Sequence, residues 1–159
     1  MTPDADILAR LRFLVRVVRR EMEHLRTTDQ RLFQRPFTAE AAAQLGQQPD
    51  LAERVDAFVS RFGRLQDTVG DKLLPALLRA LGERMGAAID NLDRAERLGL
   101  LPSADEWMTI RRLRNQMIHE YIEDPVVLAD ALQAGHDSVP LLLDTAGRMH
   151  AEILRRGWL

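Results

Sequence analysis

The residues best equipped for chemistry fall in one run late in the chain: Arg111-Arg112-Leu113-Arg114-Asn115-Gln116-Met117-Ile118-His119-Glu120-Tyr121. It holds three guanidinium groups, two amides, an imidazole and the chain's only tyrosine. Imidazole is the side chain that gains and loses protons nearest neutral pH. Guanidinium offers a planar donor fork that fits carboxylate or phosphate oxygens. On a helix, residues four apart stack, so Asn115 and His119 share a face, and Arg114 and Tyr121, seven apart, share another stripe. Arg114 lies about 140° around the helix from His119, yet its long stem can bring the guanidinium alongside the imidazole. The bland alternative stands beside this. A histidine near a helix C-terminus often only satisfies the last carbonyls and the dipole, and Arg114 can pair with Asp90, Asp93 or another acid.

The elements that must position this run are all helical. Residues 4 to about 33 carry Ile7, Leu8, Leu11, Leu14, Val15, Val18, Met22 and Leu25 at helical spacing. Arg10, Arg12, Arg16, Arg19 and Arg20 flank that stripe. They read as a solvated face paired with Asp4, Asp6, Glu21 and Glu23 rather than as a basic arm for RNA. His24 reads as a surface residue. Thr38 caps a short segment, 39–45, ended by Gly46. Asp50 is the expected N-cap of a long helix from 51 to about 80, which Pro75 should kink. On its polar side Arg64 and Asp67, three apart, are spaced to pair as a surface ion pair. Alternatively they face the His119 helix and lend it a carboxylate.

Another helix follows from Met85 to a Leu98-Gly99 C-cap. Ser103 and Glu106 form a capping box that starts the helix of the reactive run, with Trp107, Ile110, Leu113 and Met117 on its buried side. Asp124-Pro125 starts the last helix, where Pro140 predicts a kink or a break near Gly135. His136 and His150 are too far apart to suggest a local metal pair, and Gly157-Trp158-Leu159 is a short tail. No strand-like alternation, glycine-rich phosphate loop or internal repeat occurs. The expected fold is an all-α up-and-down helical bundle of four to five main helices in a single domain, 1–159, with 1–33 as its long first helix.

Composition narrows the function classes. The chain has 159 residues, is 46% apolar and 29% charged, and carries a net charge of −2. That balance does not favour a broad, nonspecific nucleic-acid binder, although Arg94, Arg97, Arg111, Arg112 and Arg114 can form a local basic cleft. Cysteine is absent, which rules out disulfides and thiolate metal sites. No run approaches the roughly 18 apolar residues of a membrane span. Cytoplasm is the expected compartment, with no membrane association.

Arginine, four residues, then histidine, with asparagine directly after the arginine and tyrosine two after the histidine, resembles the signature of HEPN domains. The lead-in from Leu100-Leu101-Pro102-Ser103 to Trp107 and the acidic turn with proline after the motif resemble them too. The likeness is closest over residues 89 to 130. HEPN domains are small helical bundles, often encoded beside a minimal nucleotidyltransferase as a toxin–antitoxin pair. The resemblance implies a HepT-like, metal-independent endoribonuclease without cofactor. It implies a homodimer whose arginines and histidines line one cleft, RNA as substrate, and a cognate minimal nucleotidyltransferase as antitoxin.

By this carry-over Arg114 stabilises the phosphoryl charge, His119 is the acid or base, and Asn115 orients the histidine or, with Arg111, binds phosphate. Tyr121 is the acceptor for adenylylation, and Arg64 and Asp67 are supporting residues. Two rivals remain: a non-catalytic helical partner or substrate-binding subunit of the nucleotidyltransferase, and a plain structural dimer. Motif helices facing a shared basic cleft favour the enzyme; motif helices buried in separate cores favour the structural dimer.

Overall fold

Asp4 opens the first helix. In the computed structural model its carboxylate accepts the Ile7 N–H at 3.0 Å, and α1 runs Ala5–Leu32. The structure describes residues 2–119 and 123–159. Leu11, Leu14, Val15, Val18 and Leu25 are buried along one stripe of α1. Each buried leucine is worth about 1.5–3 kcal/mol, against about 0–1 kcal/mol for an exposed ion pair. The apolar stripe therefore fixes α1 in place. Its arginines are solvated, and His24 is exposed. Among the described residues those arginines form no ion pair with Asp4, Asp6, Glu21 or Glu23; Arg12 instead donates to the Trp158 carbonyl at 2.8 Å. That bond, with Arg156 lying 5.4 Å from the indole centroid, pins the C-terminal tail, and Trp158 is buried.

Thr38 caps α2 (Ala39–Ala43) by accepting the Ala41 N–H, and a 3-10 turn at Leu45–Gln47 follows. The long helix α3 is Pro49–Asp67. It starts before Asp50, which is not its cap. Proline needs no N–H partner in a first turn and has its φ preset for helix, so Pro49 begins the helix and Asp50 becomes a first-turn acid.

The effect of Pro75 is more specific than a kink. Thr68–Leu73 form a widened π-helical stretch in which the Leu74 N–H reaches back to the Val69 carbonyl, and Pro75 sits in the first turn of α4 (Leu74–Ala80). Widening the ladder upstream removes the ordinary i−4 bond that proline can neither make nor tolerate.

Helix α5 (Ala88–Arg97) ends at Gly99, whose φ of 77° lets the Leu100 N–H close onto the Ala95 carbonyl. The reactive run lies on α6 (Ala104–His119). Half of the capping box is present: Ser103 Oγ accepts the Glu106 N–H at 3.2 Å. No bond returns from Glu106 among the described residues, and the Ala104 N–H is taken at 2.7 Å by Glu96 of α5. Trp107, Ile110 and Met117 are buried, whereas Leu113 is only half-buried.

Asp124 caps α7 (Pro125–Arg155) through Val126 and Val127. Of the kink or break predicted at Pro140, the break does not occur: α7 runs through the proline. Gly135 has a different purpose. A Cβ there would lie 3.2 Å from Met117 Sδ and 3.3 Å from Phe58 Cε1, so the glycine lets α3, α6 and α7 meet closely.

Cross-helix contacts give the topology. Glu21 meets Thr68 and Thr28 meets Arg61, so α1 and α3 are antiparallel. Trp107 meets Gly70 and Arg114 meets Gly63, so α3 and α6 are antiparallel. Asp29 meets His136 and Arg12 meets Trp158, so α7 returns along α1. The described residues form an all-α, up-and-down bundle around one apolar cluster, and none is a strand. None of their helices is long and apolar enough to cross a membrane.

Candidate active site

The site lies along the antiparallel seam between α3 and α6. Arg114 points across it. Its Nη2 donates to Asp67 Oδ2 at 2.8 Å, and Nη1 donates to Asn115 Oδ1 at 3.3 Å. About a third of the Arg114 side chain is exposed. Its Nε is buried with no hydrogen-bond partner. The stem is seated against Gly63, where a Cβ would meet Arg114 Nε at 3.2 Å and Cγ at 3.3 Å. The acid that Arg114 finds is thus neither Asp90 nor Asp93. The expected Arg64–Asp67 pair does not form either: Arg64 donates to Ser60 Oγ at 3.2 Å.

Behind this pair sits a carboxyl group on α1. Glu21 accepts the Thr68 hydroxyl at 3.1 Å, and its other oxygen is buried without a partner. Burial pushes the Glu21 carboxyl above its ordinary range, against the opposing pull of the Thr68 hydrogen bond and the Arg64 and Lys72 charges.

His119, the last residue of α6, is exposed. It lines a cleft of about 600 Å³ with Met117, Ile118, Glu123 and the α3 residues Asp56, Val59 and Ser60. No bond joins it to Arg114 or Asn115 among the described residues. Asn115 shares the face expected of it but bonds the guanidinium rather than the imidazole. The Arg114 stem turns across to α3 because Asp67 offers a charge-assisted bond there, the stronger kind. Tyr121 lies outside the described residues.

The other arginines do not gather into one basic cleft. Arg94 pairs with Glu83 at 3.8 Å and, with Arg97, lines a separate cleft alongside Asp90 and Asp93. Arg112 donates to Thr109 Oγ1. Arg111 is half-buried and has no ion pair among the described residues. Acids stand beside the α5 arginines, Glu83 as the ion-pair partner of Arg94 and Asp90 and Asp93 in the same cleft, so that cleft is not a basic one.

Elsewhere, His136 Nδ1 bonds Asp29 Oδ1 at 2.6 Å and its ring stacks on Phe33 at 4.3 Å, a brace between α7 and α1. Among the described residues no group of three or more histidines, aspartates or glutamates is arranged to hold a metal ion.

Sequence reasoning missed Gly63 and Glu21. Gly63 carried a signal: a glycine inside a strongly periodic helix costs about 1 kcal/mol relative to alanine, which marks a close approach from outside. Glu21 gave none, because its burial depends on where α3 crosses α1. The arrangement at the seam can hold an anion with the two Nη N–H donors that Asp67 and Asn115 leave, the Nε–H being buried, and can exchange protons at an exposed imidazole. In comparisons with known proteins, no family model, no curated protein and no solved structure matches the chain.

Proposed function

We propose that the chain is the HEPN-type, metal-independent endoribonuclease toxin of a toxin–antitoxin pair, acting in the cytoplasm as a homodimer on RNA. The observation that carries this reading is the placing of Arg114 and His119 on one helix seam. The arginine is braced by Asp67, Asn115 and Gly63, and the histidine is exposed at an open cleft.

The chemistry follows from those two side chains. Neutral His119 takes the proton from a ribose 2′-OH, and the 2′ oxygen attacks the adjacent phosphorus. Arg114 balances the charge that grows on the phosphorane oxygens. The bond to the 5′ oxygen breaks, and an imidazolium, the second copy of His119 across the dimer, returns a proton to it. The products are a 2′,3′-cyclic phosphate and a 5′-hydroxyl. Asn115 holds the guanidinium, and Arg111 is available for a neighbouring phosphate. Tyr121 is the proposed site at which a cognate minimal nucleotidyltransferase adds AMP, placing anionic bulk where RNA would bind.

The Arg114–Asp67 pair also favours a second reading, since a guanidinium already matched by a carboxylate attracts phosphate less. In that reading the chain is a non-catalytic partner of the nucleotidyltransferase.

One experiment separates the two readings. Purified protein is incubated with total RNA in EDTA, beside His119→Ala and Arg114→Ala. Cleavage by wild type alone, leaving cyclic phosphate ends, supports the ribonuclease. Cleavage retained in a folded His119→Ala variant would falsify the catalytic assignment. Absence of cleavage in all three moves the assignment to the passive partner.

A further inference from the structure

The cleft beside His119 differs chemically from the seam that holds Arg114. Its walls are Val59, Met117 and Ile118, and Ile118 is 45% exposed, high for a large apolar residue on a helix packed into the core. Its polar groups are the Ser60 hydroxyl and two carboxylates, Asp56 and Glu123. Among the described residues neither carboxylate side chain has an ion-pair or hydrogen-bond partner. Apart from His119, no lining residue among the described residues is a potential cation. Phosphate is disfavoured at the carboxylates, where an apolar ring bearing N–H donors on its edge is matched; its place is beside His119 and Arg64, which donates to Ser60 Oγ at 3.2 Å.

We propose that this cleft is a nucleobase slot selective for guanine. The inference rests on the ribonuclease reading for its place in the reaction, but its chemistry is its own. Single-stranded RNA presents unstacked bases that are read on their Watson–Crick edges and packed against side chains. A carboxylate only accepts hydrogen bonds. Guanine alone among the four bases places two adjacent donors, N1–H and the exocyclic amino group, on that edge. Adenine and cytosine each pair one amino donor with a ring acceptor, and uracil sets a single N–H between two carbonyls, so a carboxylate meets lone pairs on all three. Val59 and Ile118 contact the purine faces, and Asp56 or Glu123 takes the paired donors. The backbone then runs toward the guanidinium groups of α6, with the scissile phosphate beside His119.

Two measurements on the full chain test this. In the first, guanosine, adenosine, cytidine and uridine 3′-monophosphates are titrated against the protein, and the methyl resonances of Ile118 and Met117 are followed. Guanosine 3′-monophosphate should shift those methyls and bind at least about tenfold more tightly than the others, as expected for a charge-assisted bidentate contact. Asp56→Asn or Glu123→Gln, whichever carboxylate takes the donors, should remove that preference, and the preference surviving in both would overturn the slot; both residues are exposed and the substitutions leave the core untouched. Equal binding of the four nucleotides, binding of none, or methyls masked by a second copy of the chain would overturn the slot.

The second measurement maps cut sites on an RNA of mixed sequence. Cuts concentrated at guanosine support the slot. Cleavage without base preference overturns it while leaving the ribonuclease in place. If RNA is not cut at all, the ribonuclease reading fails, and the nucleotide titration still decides the slot.

Discussion

Arg114 Nη2 and Asp67 Oδ2 lie 2.8 Å apart across the α3–α6 seam, joining two helices through a pair about one-third exposed on each side. In a pair of this exposure the net contribution is modest, about 1 kcal/mol, because solvent screens it. Losing one partner costs more than losing a surface charge, since the Nε of the surviving guanidinium is already buried without a partner. Asp67→Ala should therefore lower stability by about 1–2 kcal/mol. It should lower RNA cleavage further than Asp67→Asn, which keeps an oxygen acceptor for Nη2. Measured cleavage rates and melting temperatures of the two variants check this. Equal rates in wild type, Asp67→Asn and Asp67→Ala would show that the pair only fastens the helices.

Gly63 offers a cleaner separation of fold from site. A methyl at this position meets the flexible Arg114 stem at 3.2–3.3 Å, so the stem must give by a few tenths of an ångström. Alanine also gains up to about 1 kcal/mol of helix propensity over glycine. Gly63→Ala should keep or slightly raise the melting temperature while cutting the cleavage rate by about tenfold or more, because small misplacements of a catalytic group are costly. A variant that loses stability and activity in proportion would contradict the positioning role.

These two glycine and carboxylate contacts mark where the sequence stops being legible. Helix identities follow from apolar spacing and caps: Thr38 and Asp124 each accept the N–H groups their positions predict. Pro49 and Pro75 were harder, since one extends α3 past its expected cap and the other is accommodated by six residues of π-helix. The Arg114 and His119 run could be located from residue types alone. Of its partners, Asp67 was legible only as one of two alternatives, a local pair with Arg64 or a carboxylate lent to the His119 helix, and the structure gives the second, to a residue 47 positions away. Gly63 and Glu21 reach the run only through the angles at which α1, α3 and α6 cross.

Gly135 tests the packing that holds α6 in place. Phe58 and Met117 are both fully buried, and both press on the glycine. Gly135→Val should destabilise the protein by about 1–3 kcal/mol through overpacking, equivalent to a fall in melting temperature of roughly 3–10 °C for a chain of this size. Gly135→Ala should cost less, since the Met117 thioether can move. Chemical denaturation of both variants checks the order, and an unchanged midpoint for the valine would show that α7 can shift freely.

The Glu21 carboxyl supplies the pH signature. Burial raises its folded-state pKa above the unfolded value. A raised carboxyl favours the folded state most when protonated, so its contribution is fully present below the ordinary carboxylate range and is lost as pH rises through the raised value. Glu21→Gln keeps an acceptor for the Thr68 hydroxyl and carries no charge at any pH. Wild type and variant should therefore have their closest melting temperatures at low pH, and the variant should gain relative to wild type as pH rises past the raised value. Melting curves taken across the acidic to neutral range read the difference directly. A gap that stays constant with pH, or one that favours wild type increasingly toward neutrality, would mean that the charges of Arg64 and Lys72 outweigh the burial of Glu21.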